Sequence, residues 1–147
     1  MQRFLMWIPG LVVVLGVGLA AQGKIATLED HAKIMKANAQ ANGGVNKAVG
    51  SGSFADARMQ VMTLRQNFMT LQAFYAEKKK DDAVTILKDG LSRLDAIDKL
   101  LAAPAPDAMA VQAAMKEFGG NTCGACHKLY REGDAQTGFK FKAGSGL

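Results

Sequence analysis

The chain has 147 residues, which is enough for one domain with a hydrophobic core. Hydrophobic residues make up 49% of it and charged residues 21%, as in ordinary globular proteins. Lysine and arginine exceed aspartate and glutamate by five, but they form no basic stripe interleaved with aromatic residues. The composition therefore argues against a nucleic-acid-binding protein.

Residues 1–23 have the layout of a secretory signal peptide. The segment begins with MQR, which is positively charged, and residues 4–21 carry no charge. Gly18 and Ala20 are the small residues expected just before a cleavage site. A retained membrane anchor is the alternative, although the run only just reaches spanning length. Both interpretations place the rest of the chain outside the cytoplasm, in a bacterial periplasm.

From Lys24 onward the sequence predicts helices and no strands. The first helix starts at Thr27, where Asp30, three residues later, completes a capping box. We expect it to reach Ala48, because the GSGS run at residues 50–53 then interrupts the helical pattern.

The second helix is predicted to begin at Ser53, with Asp56 three residues later, and to run to about Lys79. Its large apolar residues recur at helical spacing, which is typical of a core-facing stripe. These residues are Met59, Met62, Phe68, Leu71 and Tyr75.

The third helix is predicted to begin at Asp81 or Asp82 and to stop before the PAP sequence at 104–106. Its apolar residues keep a seven-residue rhythm, which indicates a bundle seam: Val84, Leu87, Leu91, Leu94, Ile97 and Leu101. The fourth helix opens at Asp107, is loosened by the glycines at 119–120, and continues into a last helical segment.

Four amphipathic helices with short connections predict an all-α fold, an antiparallel up-down-up-down four-helix bundle. We expect residues 24–132 to form this domain. Residues 133–147, rich in glycine and polar residues, are predicted to be an irregular C-terminal tail.

The run NTCGACHKLYR at 121–131 contains both cysteines of the chain and one of its two histidines. A disulfide between Cys123 and Cys126 would close a very small loop and constrain little. A thioredoxin-type pair would follow a strand, and a structural zinc site needs one ligand more than this cluster offers. The C-x-x-C-H spacing is instead the signature of covalent c-type haem attachment.

The chemistry of haem explains this spacing. Cysteines three residues apart lie on one side of a helical turn, so the sulfurs of Cys123 and Cys126 can bond to the two vinyl groups of one haem edge. His127 then presents a ring nitrogen to the iron as the proximal ligand. We therefore expect one covalently bound haem c, with its iron held by His127.

The position and the continuation of the motif carry a family resemblance. A single C-x-x-C-H near the C-terminus, continued as CHKLYR, resembles the cytochrome c′ family of class II c-type cytochromes. The resemblance covers about residues 25–131, and the tail after them is longer than is typical of that family. It implies the same roles for the two cysteines and His127, and it places Tyr130 and Arg131 beside the proximal face.

The resemblance implies one of two functions, neither of them enzymatic. The first is single-electron transfer between periplasmic redox proteins. The alternative is a five-coordinate haem that binds nitric oxide or carbon monoxide. Homodimers are common in this family. The sequence has no paired carboxylates or Ser-His-Asp set that would indicate hydrolysis, and membrane contact is expected only if residues 1–23 are retained.

In an antiparallel bundle, a haem near the end of the fourth helix should be surrounded by residues 28–38, 68–78 and 82–91. Phe68 is therefore a candidate to pack against the porphyrin. Met35 and His31 share a face of the first helix. The run IMKAN resembles the branch of the family in which a methionine ligates the iron, so Met35 is the expected sixth ligand. His31 is expected near the haem edge or a propionate, with ligation of the iron by His31 as an alternative.

Overall fold

The computed structural model describes residues 24–134 and 136–147. The predicted targeting segment, residues 1–23, lies outside the described residues. The elements follow one another as α1 (Leu28–Gly50), α2 (Phe54–Glu77), α3 (Asp81–Leu101), α4 (Ala108–Phe118), a π-helical segment (Gly119–Gly124), α5 (Ala125–Tyr130), β1 (Arg131–Asp134) and β2 (Gly138–Phe141).

Two helix starts are fixed by side-chain caps. The Thr27 hydroxyl accepts a hydrogen bond from the Asp30 amide, and the Asp30 carboxylate accepts one from the Thr27 amide. This reciprocal pair is the predicted capping box, which is confirmed. The Asp107 carboxylate caps α4 through the amides of Met109 and Ala110. Ser53, which precedes α2, makes no such bond.

The buried face of α2 corrects one expectation. Met59 and Met62 were predicted to lie in the core, but Met59 is 57% exposed and Met62 is 63% exposed. The two methionines lie outside the buried stripe of the helix. Met59 comes two residues after the buried Ala57 and Met62 one residue after the buried Val61, and such offsets turn a side chain away from the buried face. The buried positions of α2 that keep a heptad spacing are Ala57, Val61, Leu64, Phe68, Leu71 and Tyr75.

The seam of α3 follows the predicted rhythm in part. Leu87, Leu94, Ile97 and Leu101 are buried, as expected, but Val84 and Leu91 are only half-buried, and Ala83 is buried in place of Val84. One position on the same seam is a glycine, Gly90, which is also buried. Its place between two buried leucines marks a point where another segment approaches the helix backbone closely.

Helices α1 and α2 pack side by side. At one end of the pair His31 meets Tyr75, and nearer the middle the Asn67 amide donates to the Asn38 side-chain oxygen at 2.9 Å. The start of α1 therefore lies beside the end of α2.

Helix α2 also packs on α3, with two ion pairs on the exposed side of the contact. Arg58 binds the Asp98 carboxylate through two nitrogens, at 2.8 and 3.1 Å, and Arg65 binds Asp95 at 2.8 Å. Exposed pairs of this kind contribute little stability, about 0–1 kcal/mol each. The buried apolar stripes therefore dominate the packing, and the largely helical chain is compatible with a helical bundle.

The tail differs from the prediction. Residues 131–134 and 138–141 are not irregular: β1 and β2 form a two-stranded antiparallel sheet that pairs Arg131 with Phe141. The Lys142 amide then donates to the Tyr130 carbonyl at 2.9 Å, and the Phe141 ring lies 4.9 Å from the ring of His31. The tail therefore folds back on the helices, and the fold is not purely α-helical.

None of the described helices is both long enough and apolar enough to cross a membrane.

Candidate functional site

The cysteines and His127 lie where a π-helical segment passes into α5. Cys123 belongs to the π-helical segment and is half-buried, whereas Cys126 is buried, with 8% of the residue exposed. His127 follows Cys126 directly and is half-buried. Both cysteines are free thiols, so the structure holds them on consecutive turns without a disulfide between them.

Gly119 and Gly120 begin the π-helical segment, where they favour the departure from an α-helix. A Cβ atom on Gly119 or Gly120 would meet no other atom within 4 Å, so neither glycine is required for space. Glycine weakens α-helix formation, and wider π-turns recur at functional sites. The predicted loosening at 119–120 is therefore observed as a change of helix type just before Cys123.

The thiols of Cys123 and Cys126 have raised pKa values, which favour the protonated form. Burial raises the pKa of both, and the pKa of Cys126 reaches about 11 with further contributions from Cys123 and Asp82. Reactive cysteines of redox enzymes have lowered pKa values instead. The electrostatics therefore disfavour a thioredoxin-type role for this pair.

His31 is brought to the same end of the molecule as His127. It is buried, and its Nε2 lies 3.1 Å from the Tyr75 hydroxyl. Burial, with a smaller contribution from the nearby His127, lowers its pKa to about 4. The rings of Phe74 and Phe141 lie 5.5 and 4.9 Å away. His31 is thus enclosed by aromatic side chains, and it is neutral at pH 7.

Met35 lies one helical turn beyond His31 and is half-buried against the core. Its neighbour Ile34 is also half-buried, and no residue of α1 from 32 to 40 is fully buried. Burial resumes at Ala41. The first part of α1 therefore carries apolar side chains that the protein covers only in part, beside the buried His31.

The remaining candidates are spread around the motif. The Tyr130 hydroxyl donates to the Asp82 carboxylate, and its ring lies 5.5 Å from that of Tyr75. Arg131 is exposed, and its guanidinium lies 4.1 Å from the centre of the Phe139 ring. Phe68 is buried and packs on Phe118 at 5.3 Å. Tyr130 is near enough to Cys126 for the two side chains to interact electrostatically.

The loop of Lys78, Lys79 and Lys80 lies at this end as well. Lys78 contacts the Phe74 ring at 5.8 Å, and a Cβ atom on Gly146 would lie 2.8 Å from the Lys80 Nζ. The end of the tail therefore lies against this basic loop.

Residues 82–91 were expected to surround the motif, and two residues of that range, Asp82 and Gly90, do contact Tyr130 and Thr122, although sequence reasoning singled out none of these contacts. A glycine on the apolar seam of α3 was a usable signal, since it marks a close approach. No pattern pointed to Thr122, whose hydroxyl is buried without a hydrogen-bond partner.

Two surface cavities are lined by residues other than the cysteines and His127. One, of about 280 Å³, lies between α2 and α3 and is lined by the ion pairs of Arg58 and Arg65. The other, of about 320 Å³, lies beside Lys24 and Phe74. The chemistry of the chain is concentrated at the cysteines, so we take neither cavity as the functional site.

The residues at the motif fit a covalently attached haem. They offer two free thiols on adjacent turns and an imidazole next to the second, in apolar surroundings. Within residues 24–134 and 136–147, no group of three or more His, Cys, Asp or Glu side chains could hold a metal ion by itself. A haem iron takes most of its ligands from the porphyrin, so it does not need such a group.

Comparison with protein-family models, with curated proteins and with solved structures gives no match for this chain.

Proposed function

We propose that the chain is an exported c-type haem protein that carries single electrons in the periplasm. The observation that carries the proposal is the C-x-x-C-H run, present as two free thiols and an adjacent imidazole on consecutive helical turns. A bound haem would supply an iron centre that takes up and releases one electron at a time.

The chain's own residues have distinct roles in this proposal. Cys123 and Cys126 would hold the haem through two thioether bonds, each of which would result from addition of an S–H bond across a vinyl double bond, and burial raises the pKa of both thiols. His127 would be the iron ligand from the protein next to the second cysteine, and its pKa is lowered by burial and by Arg131. A neutral imidazole is the form that binds iron, so this shift favours ligation.

We propose Met35 as the sixth ligand. It is half-buried on the partly covered face of α1, one turn from His31, which itself lies near His127. A thioether is a soft ligand that favours ferrous iron and raises the potential. An iron held by both His127 and Met35 would suit electron transfer, whereas an iron held by His127 alone would leave room for nitric oxide or carbon monoxide.

His31 has a different proposed role. The imidazole ring of His31 is already engaged by a hydrogen bond to Tyr75 and by contacts with the rings of Phe74 and Phe141. Ligation of the iron would break the hydrogen bond to Tyr75 and move the ring out of this enclosure. We therefore propose that His31 shapes the pocket wall, with Phe68 behind it in the core.

The proposed architecture is an antiparallel up-down-up-down four-helix bundle of the cytochrome c′ type, extended by the hairpin. It is supported by the pairing of the start of α1 with the end of α2, and of Arg58 near the start of α2 with Asp98 near the end of α3. Such a bundle places the haem at the end where Lys78, Lys79 and Lys80 lie.

The proposed partners are acidic periplasmic redox proteins. Residues 1–23 would direct export, and membrane contact follows only if they are retained. Lysines beside an electron-exit edge steer an acidic partner by long-range attraction. A homodimer fits the family resemblance, and nucleic acid and an enzymatic reaction are not part of the proposal.

Visible spectra of the purified protein, oxidised and reduced, with and without carbon monoxide, test this proposal. We expect a haem spectrum typical of a low-spin, six-coordinate iron that carbon monoxide does not readily change. A high-spin spectrum with ready carbon monoxide binding would reject electron transfer as the function and support the gas-binding alternative. A colourless protein, when haem and the attachment machinery are supplied, would reject both.

A further inference from the structure

The motif is held on both sides by the same helix. Thr122, just before Cys123, lies against Gly90 of α3, and Tyr130, just after the motif, binds Asp82 of α3. Residues 122 and 130 are eight positions apart, and so are 82 and 90. Residues 122–130, π-helical up to Gly124 and α-helical after it, therefore run antiparallel to α3 between these two contacts.

The contact at Gly90 depends on the missing side chain. A Cβ atom at this position would lie 2.5 Å from Cγ2 of Thr122 and 2.8 Å from Cε1 of Phe68. Both neighbours are buried, so neither can move away into solvent. Gly90 therefore lets the segment before Cys123 approach α3 more closely than any other residue would.

The contact at Asp82 is a charge-assisted hydrogen bond. The Tyr130 hydroxyl donates to Oδ1 of Asp82, whose carboxylate also accepts from the Ala83 amide. Hydrogen bonds with an ionised partner are the stronger kind. Tyr130 is buried, and Asp82 lies at the exposed start of α3. The hydrogen bond therefore holds the end of α5 against the start of α3.

We infer that α3 clamps residues 122–130 at two points, and that Gly90 and Asp82 are positioning residues for Cys123, Cys126 and His127. The clamp orients these three side chains before any cofactor is attached. The inference rests on the proposed function only for the identity of the group that they hold.

Loss of each contact should loosen a different end of the motif. Gly90 and Thr122 adjoin Cys123, whereas Asp82 and Tyr130 adjoin Cys126. Gly90→Ala should therefore mainly increase the reactivity of Cys123, and Tyr130→Phe that of Cys126. A general loss of stability would instead raise both reactivities by the same factor.

The test measures alkylation rates of the two thiols separately, by mass spectrometry, on the full chain reduced and free of haem. We expect the nearer thiol to react about tenfold faster in each variant, the effect of losing one hydrogen bond or an equivalent contact. Thr122→Ala tests the Gly90 contact should Gly90→Ala not fold. Thr122→Val keeps the shape of the side chain and should react like the wild type.

Two further comparisons isolate positioning from stability. Ile97→Val and Leu101→Ala remove buried atoms at the other end of α3. The one whose free energy of unfolding is closer to that of the clamp variants serves as the control, and it should change the two alkylation rates by the same factor. Asp82→Asn keeps an acceptor oxygen, so it should loosen Cys126 less than Asp82→Ala does.

Equal acceleration of both thiols, or none, would overturn the clamp. Haem loading of the same chains separates this result from the proposed function. A chain that takes up no haem but shows end-specific thiol rates keeps the clamp and rejects the haem. A chain that binds haem but shows equal rates keeps the haem and rejects the clamp.

Discussion

His31 in the first turn of α1 and Tyr75 in the last full turn of α2 meet through Nε2 and the hydroxyl, 3.1 Å apart in a buried position. The bond joins the two helices beside the cysteines. Burial also keeps His31 neutral, with a pKa lowered from 6.5 to about 4. The contact therefore couples the stability of this end of the molecule to pH.

The first prediction concerns that coupling in the chain with free thiols. Below pH 6.5 the unfolded chain takes up a proton at His31 while the folded protein does not. Stability from this group is therefore fully present above pH 6.5 and is lost as the pH falls toward about 4. The loss should be roughly 3 kcal/mol in the free energy of unfolding, as measured by urea denaturation.

His31→Gln is the matched variant, since glutamine can still bond to Tyr75 but does not titrate. It should remove most of the pH dependence in that window, and the remainder should come from His127 and from aspartates such as Asp82 and Asp98, whose pKa values are also lowered. An unchanged pH profile in His31→Gln would show that other groups cause the loss.

The second prediction concerns the start of α1. Thr27→Ala removes the hydroxyl that accepts from the Asp30 amide, so the free energy of unfolding should fall by about 1 kcal/mol. Thr27→Ser keeps the oxygen and should be close to wild type. Equal losses in the two variants would mean that the cap contributes nothing.

Local patterns predicted much of the helical structure. Thr27 with Asp30, Asp107, and the heptad of α3 each depend on neighbours in sequence, so the sequence is sufficient to find them. The hairpin of 131–141 was missed because its stability comes from distant contacts, such as Phe141 on His31. REGD shows no alternation of apolar and polar residues, and in GFKF only Phe139, Lys140 and Phe141 alternate, which is too short a run to indicate a strand.

The candidate site divides in the same way. Cys123, Cys126 and His127 form a local motif that can be read directly. Asp82 and Gly90 contact it from about forty residues away, and such pairings depend on how the helices pack. The exposed Met59 shows the reverse error, since helical spacing alone does not tell which side of a helix is buried.

The third prediction concerns Met35. If it ligates the iron, the ferric protein should show the weak near-infrared band of a thioether–iron bond. Met35→Ala should abolish this band, lower the potential and open the site to carbon monoxide. Met62→Ala, at a methionine that is 63% exposed on α2, should change none of these. A wild-type protein without the band would reject Met35 as a ligand.

The fourth prediction concerns the basic loop. Reversing Lys78 and Lys79 to glutamate should slow electron transfer to an acidic redox protein by about tenfold at low salt, because it reverses the steering field. The effect should shrink as salt screens the charges. Lys47→Glu with Lys99→Glu makes the same change in net charge on other exposed positions of α1 and α3. Equal slowing by both pairs would show that only net charge matters.

Covalent attachment of one haem through Cys123 and Cys126 is the central claim, and the intact mass of the purified protein after acid–acetone extraction tests it most directly. The account predicts that the mass of one haem stays with the chain, and that replacing both cysteines with serine removes it. A haem that extracts completely from the wild-type protein, leaving two thiols that can be alkylated, would contradict the account.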